Sequence, residues 1–169
     1  MRAETQAAYV DYVSARLPAL HRAAYLLCAG DAHRADDLVQ ITITRLYQHW
    51  KRAARSDNLD AYVHRMLVHT LIDEKRLAWA RVHLTERPAD LPAPAGGEVH
   101  GQVEDRSRLV QVLRTLPPRQ RAVLVMRFLL DRPVEEVAET LRCSVGTVKS
   151  QSSRGLETLR GMLSRIEEH

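Results

Sequence analysis

At 169 residues with 45% hydrophobic side chains, the chain can bury one or two small cores. With one Phe and two Trp, those cores must be rich in Leu, Val and Ala, which favours helices over strands. The formal charge is +4, and because only Lys51, Lys75 and Lys149 are lysines it is carried almost wholly by arginine, a side chain suited to bidentate contacts with phosphates and bases. No apolar run approaches the ~20 residues of a membrane span, and the N-terminus has no apolar signal core. Cys28 and Cys143 lie far apart without zinc-ligand spacing, so they read as structural thiols of a reducing cytosol. The expectation is a cytoplasmic protein that needs no cofactor and no metal.

In chain order, Val10, Val13, Leu17, Leu20, Ala24 and Leu27 line one side of a first helix that stops at Gly30. Asp31 is a fitting N-cap for a second, whose inner face is Ala35, Leu38, Val39, Thr42, Ile43, Leu46 and Trp50. That phasing turns Asp36, Asp37 and Gln40 outward as a polar strip suited to a protein partner. A polar loop from Lys51 to Asp57 follows, with Lys51, Arg52 and Arg55 as its cations. The third helix begins near Asn58 and buries Leu59, Tyr62, Val63, Met66, Leu67, Thr70 and Leu71. Each four-residue step advances ~40° around a helix, so Arg65, His69 and Arg76 share another side.

Thr85 to Asp105 breaks the pattern. Pro88, Pro92, Pro94, Gly96 and Gly97 end any periodicity, and Glu86, Asp90, Glu98, Glu104 and Asp105 face Arg87 alone. This reads as an exposed acidic linker. Beyond it, Leu109, Val112, Leu113 and Leu116 precede a helix stop and restart at Pro117-Pro118, and Val123, Leu124, Arg127 and Phe128 continue the next helix. Pro133 opens a short helix with Val134, Val137, Ala138 and Leu141. A tight turn at Arg142-Cys143 then leads to Ser144, the N-cap of a last helix built on Val145, Val148, Leu156, Leu159 and Leu163. Two helices joined so closely make a helix-turn-helix. The outer side of the last one presents Thr147, Lys149, Ser150, Ser153 and Arg154, with no acid before Glu157. Small hydroxyls and cations let a helix sit deep in the major groove.

The segment LPPRQRAVLVMRFLLDRPVEEVAETLRCSVGTVKSQSSRGLETLR, Leu116 to Arg160, closely resembles region 4 of the ECF (extracytoplasmic-function) RNA polymerase sigma factors. Shared are the LP-x-x-x-R start, the E-x-A-x-x-L helix and the S-x-G-T-V-K-S turn. Ala35 to Gln40 is similar to region 2.2 of that family, and Asn58 to Arg81 to the later part of region 2; the A-Y-V-x-R-M-L-V string looks closest to the actinobacterial SigE-like group. The resemblance covers about three-quarters of the chain. It implies an all-α protein of two small helical domains, with sigma region 2 over 1–84, a flexible acidic linker over 85–106 and sigma region 4 over 107–169.

For function it implies binding to polymerase core through the β′ clamp helices and the β flap, with promoter DNA as the other partner. Asp36, Asp37 and Gln40 are then the core-binding residues. Lys51, Arg52, Arg55, Arg65, His69 and Arg76 fall to the minus-ten element, and Thr147, Lys149, Ser150, Ser153 and Arg154 to the minus-35 element. The linker is expected to thread the polymerase's nucleic-acid channel, and any anti-sigma factor to be a separate chain. Two departures stand out. Gln151-Ser152-Ser153 replaces the family's usual bases after K-S, leaving readout to Lys149 and Arg154, and His69 stands where Asn is usual.

Promoter elements one and a half turns apart are separated by ~50 Å, and about twenty extended residues reach ~70 Å. The alternative is a stand-alone helix-turn-helix regulator, which would bind its site without polymerase. An enzyme is not expected. His64 and His69 lie ~140° apart around their helix, no nucleophile completes a site, and Asp73-Glu74 is balanced at once by Lys75-Arg76.

Overall fold

A computed structural model describes the backbone of residues 2–85 and 102–168, and the side chains of 2–74 and 107–168. The described residues are helical, with no strand among them. The order is α1 Ala3–Leu27, α2 Ala32–Gln48, α3 Trp50–Ala53, α4 Leu59–Thr85, α5 Gln102–Thr115, α6 Pro118–Leu124, a π-helical turn Val125–Leu129, α7 Val134–Leu141 and α8 Val145–Glu167.

Local chemistry sets most boundaries. The Asp31 carboxylate accepts from the Arg34 N–H at 3.1 Å and starts α2. Asn58 does the same for α4, accepting from the Ala61 N–H at 3.0 Å. Pro118 occupies the first turn of α6, where its missing N–H is no loss. Between α1 and α2 the chain reverses through Ala29 and Gly30, both at positive φ.

Three expectations are refined. The Lys51–Asp57 loop is helical in its first half, because Trp50 and Ala53 are buried and pull one turn of chain against the core. Tyr9 stacks edge-on against Tyr47 and Trp50 at 5.2 and 5.4 Å, so aromatic rings fill the end of α1 and Val10 stays 49% exposed. α5 begins at Gln102, inside the stretch expected to be linker, once Gly101 is passed. Residues 86–101, the rest of that stretch, lie outside the described residues.

The two helical halves share a core. Leu20, Leu38, Leu46, Val63 and Leu67 from the first belong to one buried cluster with Val123, Met126, Val137, Leu141 and Val148 from the second. A smaller cluster of Leu113, Leu116 and Leu124 holds α5, α6 and α8 together, with Leu26 of α1 against it. No described helix is long and apolar enough to cross a membrane.

Candidate nucleic-acid interface

The helix-turn-helix is built by two local devices. α7 ends at Arg142 in the left-handed conformation, φ 54° and ψ 51°, which turns the chain within three residues. The Ser144 hydroxyl then accepts from the Thr147 N–H at 3.0 Å and caps α8. Val148 is fully buried and fixes the roll of α8. Two turns further on, Gly155 lies so close to α6 that a Cβ there would stand 2.8 Å from Leu124 Cδ1. Both contacts turn Lys149, Ser150, Ser153 and Arg154 to solvent and leave Thr147 half-buried beside the cap. Neither Lys149 nor Arg154 pairs with a carboxylate among the described residues, so each charge is available to an anionic ligand. Gln151 and Ser152 are half-buried, on the inner side.

Arg121, the arginine of the LP-x-x-x-R start, does not belong to this surface. It is 8% exposed and donates from Nη1 to the Leu113 carbonyl at 3.2 Å, while Arg119 donates to the Leu141 carbonyl at 2.6 Å. Both tie helices of the second half together.

In the first half, Lys51, Arg52 and Arg55 project from α3 and its following turn, all exposed above the buried Trp50. The α4 residues are placed differently. Arg65 stacks over Tyr62 at 5.9 Å and pairs with Glu139 of α7 at 3.6 Å. His69 donates from Nε2 to the Thr140 carbonyl, also on α7, at 3.0 Å. The Arg76 side chain, and those of Lys75 and Arg81, lie outside the described ones. The sequence therefore grouped Arg65 and His69 on one face, as found, but gave no sign that α7 covers it.

On α2, Asp36, Asp37 and Gln40 are exposed as expected, with Asp36 3.3 Å from His21 Nδ1. Leu38 and Val39 anchor the inner side, while Ile43 is only half-buried, its carbonyl accepting from the Tyr9 hydroxyl at 2.6 Å. Sequence reasoning missed Ile41, which is 37% exposed one turn from Asp37. The signal was present: Ile41 is out of phase with the buried 35, 38, 39, 42, 46 series. Phe128 and Leu129, on the π-helical turn, are a second exposed apolar pair.

His64 faces inward. Burial, helped by Arg132 and opposed by Asp60, lowers its pKa from the ordinary 6.5 to about 4, and its Nδ1 has no protein partner among the described residues. Cys28 is a free thiol pushed up to about 11 by burial, which leaves it unreactive; Cys143 is also free.

Comparison with known proteins gives a consistent picture. Residues 12–81 match the family Sigma-70 region 2, and residues 106–159 match Sigma-70, region 4. The RNA polymerase sigma-E factor of Streptomyces coelicolor is 36% identical over 154 residues, covering 90% of this chain and 84% of that protein. Among solved structures, the sigma factor RpoE from Bartonella quintana, in complex with the anti-sigma factor NepR, superposes with a TM-score of 0.74 at 24% identity, covering 92% of this chain and 96% of that one. CnrH, in complex with the cytosolic domain of CnrY, does so with a TM-score of 0.65 at 21% identity, covering 95% and 90%. These two likenesses show the fold.

Proposed function

The chain belongs to the sigma-70 family, as an RNA polymerase sigma factor of the ECF type that binds polymerase core and directs promoter-specific initiation, and on that premise we propose how its residues divide the work. Residues 1–84 hold the core enzyme and the minus-ten element; residues 107–169 read the minus-35 element; residues 85–106 connect them. The stand-alone regulator gives way, because the match to region 2 accounts for a polymerase-binding half that such a regulator has no use for.

The observation that carries the assignment is the outer side of α8. Lys149, Ser150, Ser153 and Arg154 stand exposed on a capped helix whose cations have no internal partner among the described residues. A helix so furnished can enter the major groove, where Lys149 and Arg154 donate to base edges or phosphates and the serines permit close approach. Lys51, Arg52, Arg55, Arg65, His69 and Arg76 take the minus-ten strand. Asp36, Asp37 and Gln40, with Ile41 beside them, dock on the polymerase. By likeness to the solved complex of RpoE with the anti-sigma factor NepR, a separate anti-sigma factor is the fitting class of regulator.

The test replaces Lys149 and Arg154 singly by Ala in the reconstituted holoenzyme and scores a library of upstream elements. A lost base contact costs about 1–3 kcal/mol at one position, whereas a lost phosphate contact weakens all sequences alike. Unchanged affinity and preference in both variants would remove α8 from the reading surface.

A further inference from the structure

The turn between α7 and α8 carries an arginine where the backbone favours glycine. α7 closes with a pair of hydrogen bonds: the Arg142 N–H donates to the Glu139 carbonyl at 3.3 Å, and the Cys143 N–H to the Ala138 carbonyl at 3.0 Å. This pairing needs a left-handed residue at its centre, which is Arg142 at φ 54° and ψ 51°. In that region a Cβ crowds the neighbouring carbonyl, so glycine holds the place without strain and a long side chain does not.

No ion pair within the described residues offsets this strain. The Arg142 side chain is exposed and has no carboxylate partner among them. Arg119, from the first turn of α6, lines the same cleft of about 580 Å³ as Arg142. Its Nη2 is tied to the carbonyl of Leu141, the residue before Arg142, at 2.6 Å. The acid in that lining, Asp73, is already paired with Arg45 at 3.2 Å. Two guanidiniums therefore share one corner of the fold without a free acid in the cleft, an arrangement that an anion from outside would relieve.

The place of the turn says which anion. Arg142 stands two residues before Ser144, the cap of α8. In a helix-turn-helix on DNA the first helix crosses the backbone while the second enters the groove, so the turn between them lies along phosphates rather than base edges. The planar fork of an arginine matches a phosphate, and such contacts fix orientation without reading sequence. We propose that Arg142 is a positioning residue for minus-35 recognition: it grips a backbone phosphate beside the element, with Arg119 facing the same anion, and so sets how α8 enters the groove. This rests on the reading of α8 as the minus-35 helix. The strained backbone at this turn is kept for the charge it presents, and the fold alone is better served by glycine.

The test compares Arg142→Gly, Arg142→Lys and, as a control for lost charge, Arg165→Ala at an exposed position near the end of α8. Thermal melts use the free chain; binding uses the holoenzyme and duplexes carrying upstream elements from fragments that it transcribes. Arg142→Gly should melt about 2–4 °C above wild type. It should nevertheless bind every element about three- to tenfold more weakly, keep the wild-type order of preference, and lower the slope of log affinity against log salt by about one. Arg142→Lys should keep most of the affinity, and Arg165→Ala should match wild type. Unchanged affinity in Arg142→Gly would overturn the proposal. So would a loss confined to one base position, an equal loss in Arg165→Ala, or a weakened Gly variant that melts no higher than wild type, since its loss would then lie in the fold. If Lys149→Ala and Arg154→Ala are both silent in the same assay, the reading of α8 fails; if they act and Arg142→Gly does not, the phosphate contact alone fails.

Discussion

His64 lies on the inner side of α4, within reach of the charges of Arg16, Asp60 and Arg132. Burial favours its neutral form and sets its folded pKa near 4, against an ordinary 6.5. A histidine whose pKa is lowered on folding binds its proton more readily when unfolded. The folded state therefore keeps its full stability above pH 6.5 and loses part of it as the pH falls from there towards 4. Replacing His64 by Gln removes the titration. Denaturant midpoints followed from pH 7.5 to 5 should fall more steeply for wild type than for His64→Gln. Parallel curves would mean that the imidazole is already free to take up its proton in the fold.

Among the elements, α8 depends on Gly155. Substitution by Ala improves helix propensity by about 1 kcal/mol, but its Cβ would press on Leu124, which is itself buried. These effects nearly cancel, so Gly155→Ala should melt close to wild type. Gly155→Val adds bulk and keeps only part of the propensity gain. It should lose about 1–3 kcal/mol and, by tilting α8 away from α6, weaken minus-35 selection. Thermal melts of both variants decide this; a Val variant as stable as Ala would mean that α8 shifts freely. On α2 the exposed strip predicts a separable effect. Asp37→Arg and Ile41→Ala should each weaken competition for core polymerase by severalfold while circular dichroism and melting stay unchanged, because neither side chain belongs to the core. Full competition by both variants would move the docking surface off α2.

How much of these elements the sequence foretells depends on the range of the interaction behind them. Asp31, Ser144, Pro118 and the glycine turn act on their own neighbours, and all are legible from the chain. The outward side of α8 follows from the 3.6-residue period once Val145 and Val148 are placed inside. The short α3 and the π-helical turn answer to contacts with distant residues, as when Trp50 meets Tyr9, and periodicity carries no trace of them. The covering of Arg65 and His69 by α7 is of the same kind. Thr140 contributes only a backbone carbonyl there, which no side-chain pattern can announce.

At the scale of the whole molecule, the chain has the parts of a device that reads DNA on behalf of another protein. One half carries the polar strip proposed for the polymerase and the cationic face proposed for opened DNA. The other carries the helix proposed for recognition, and the two share a buried core. The most direct measurement is transcription in vitro on a library of genomic fragments, using purified bacterial core polymerase with and without the chain, alongside retention of the same fragments by the chain alone. Discrete start sites should arise only when chain and core are both present, and the chain alone should retain no fragment preferentially. Tight, specific retention by the isolated chain, with no new start sites when core is added, would contradict the account.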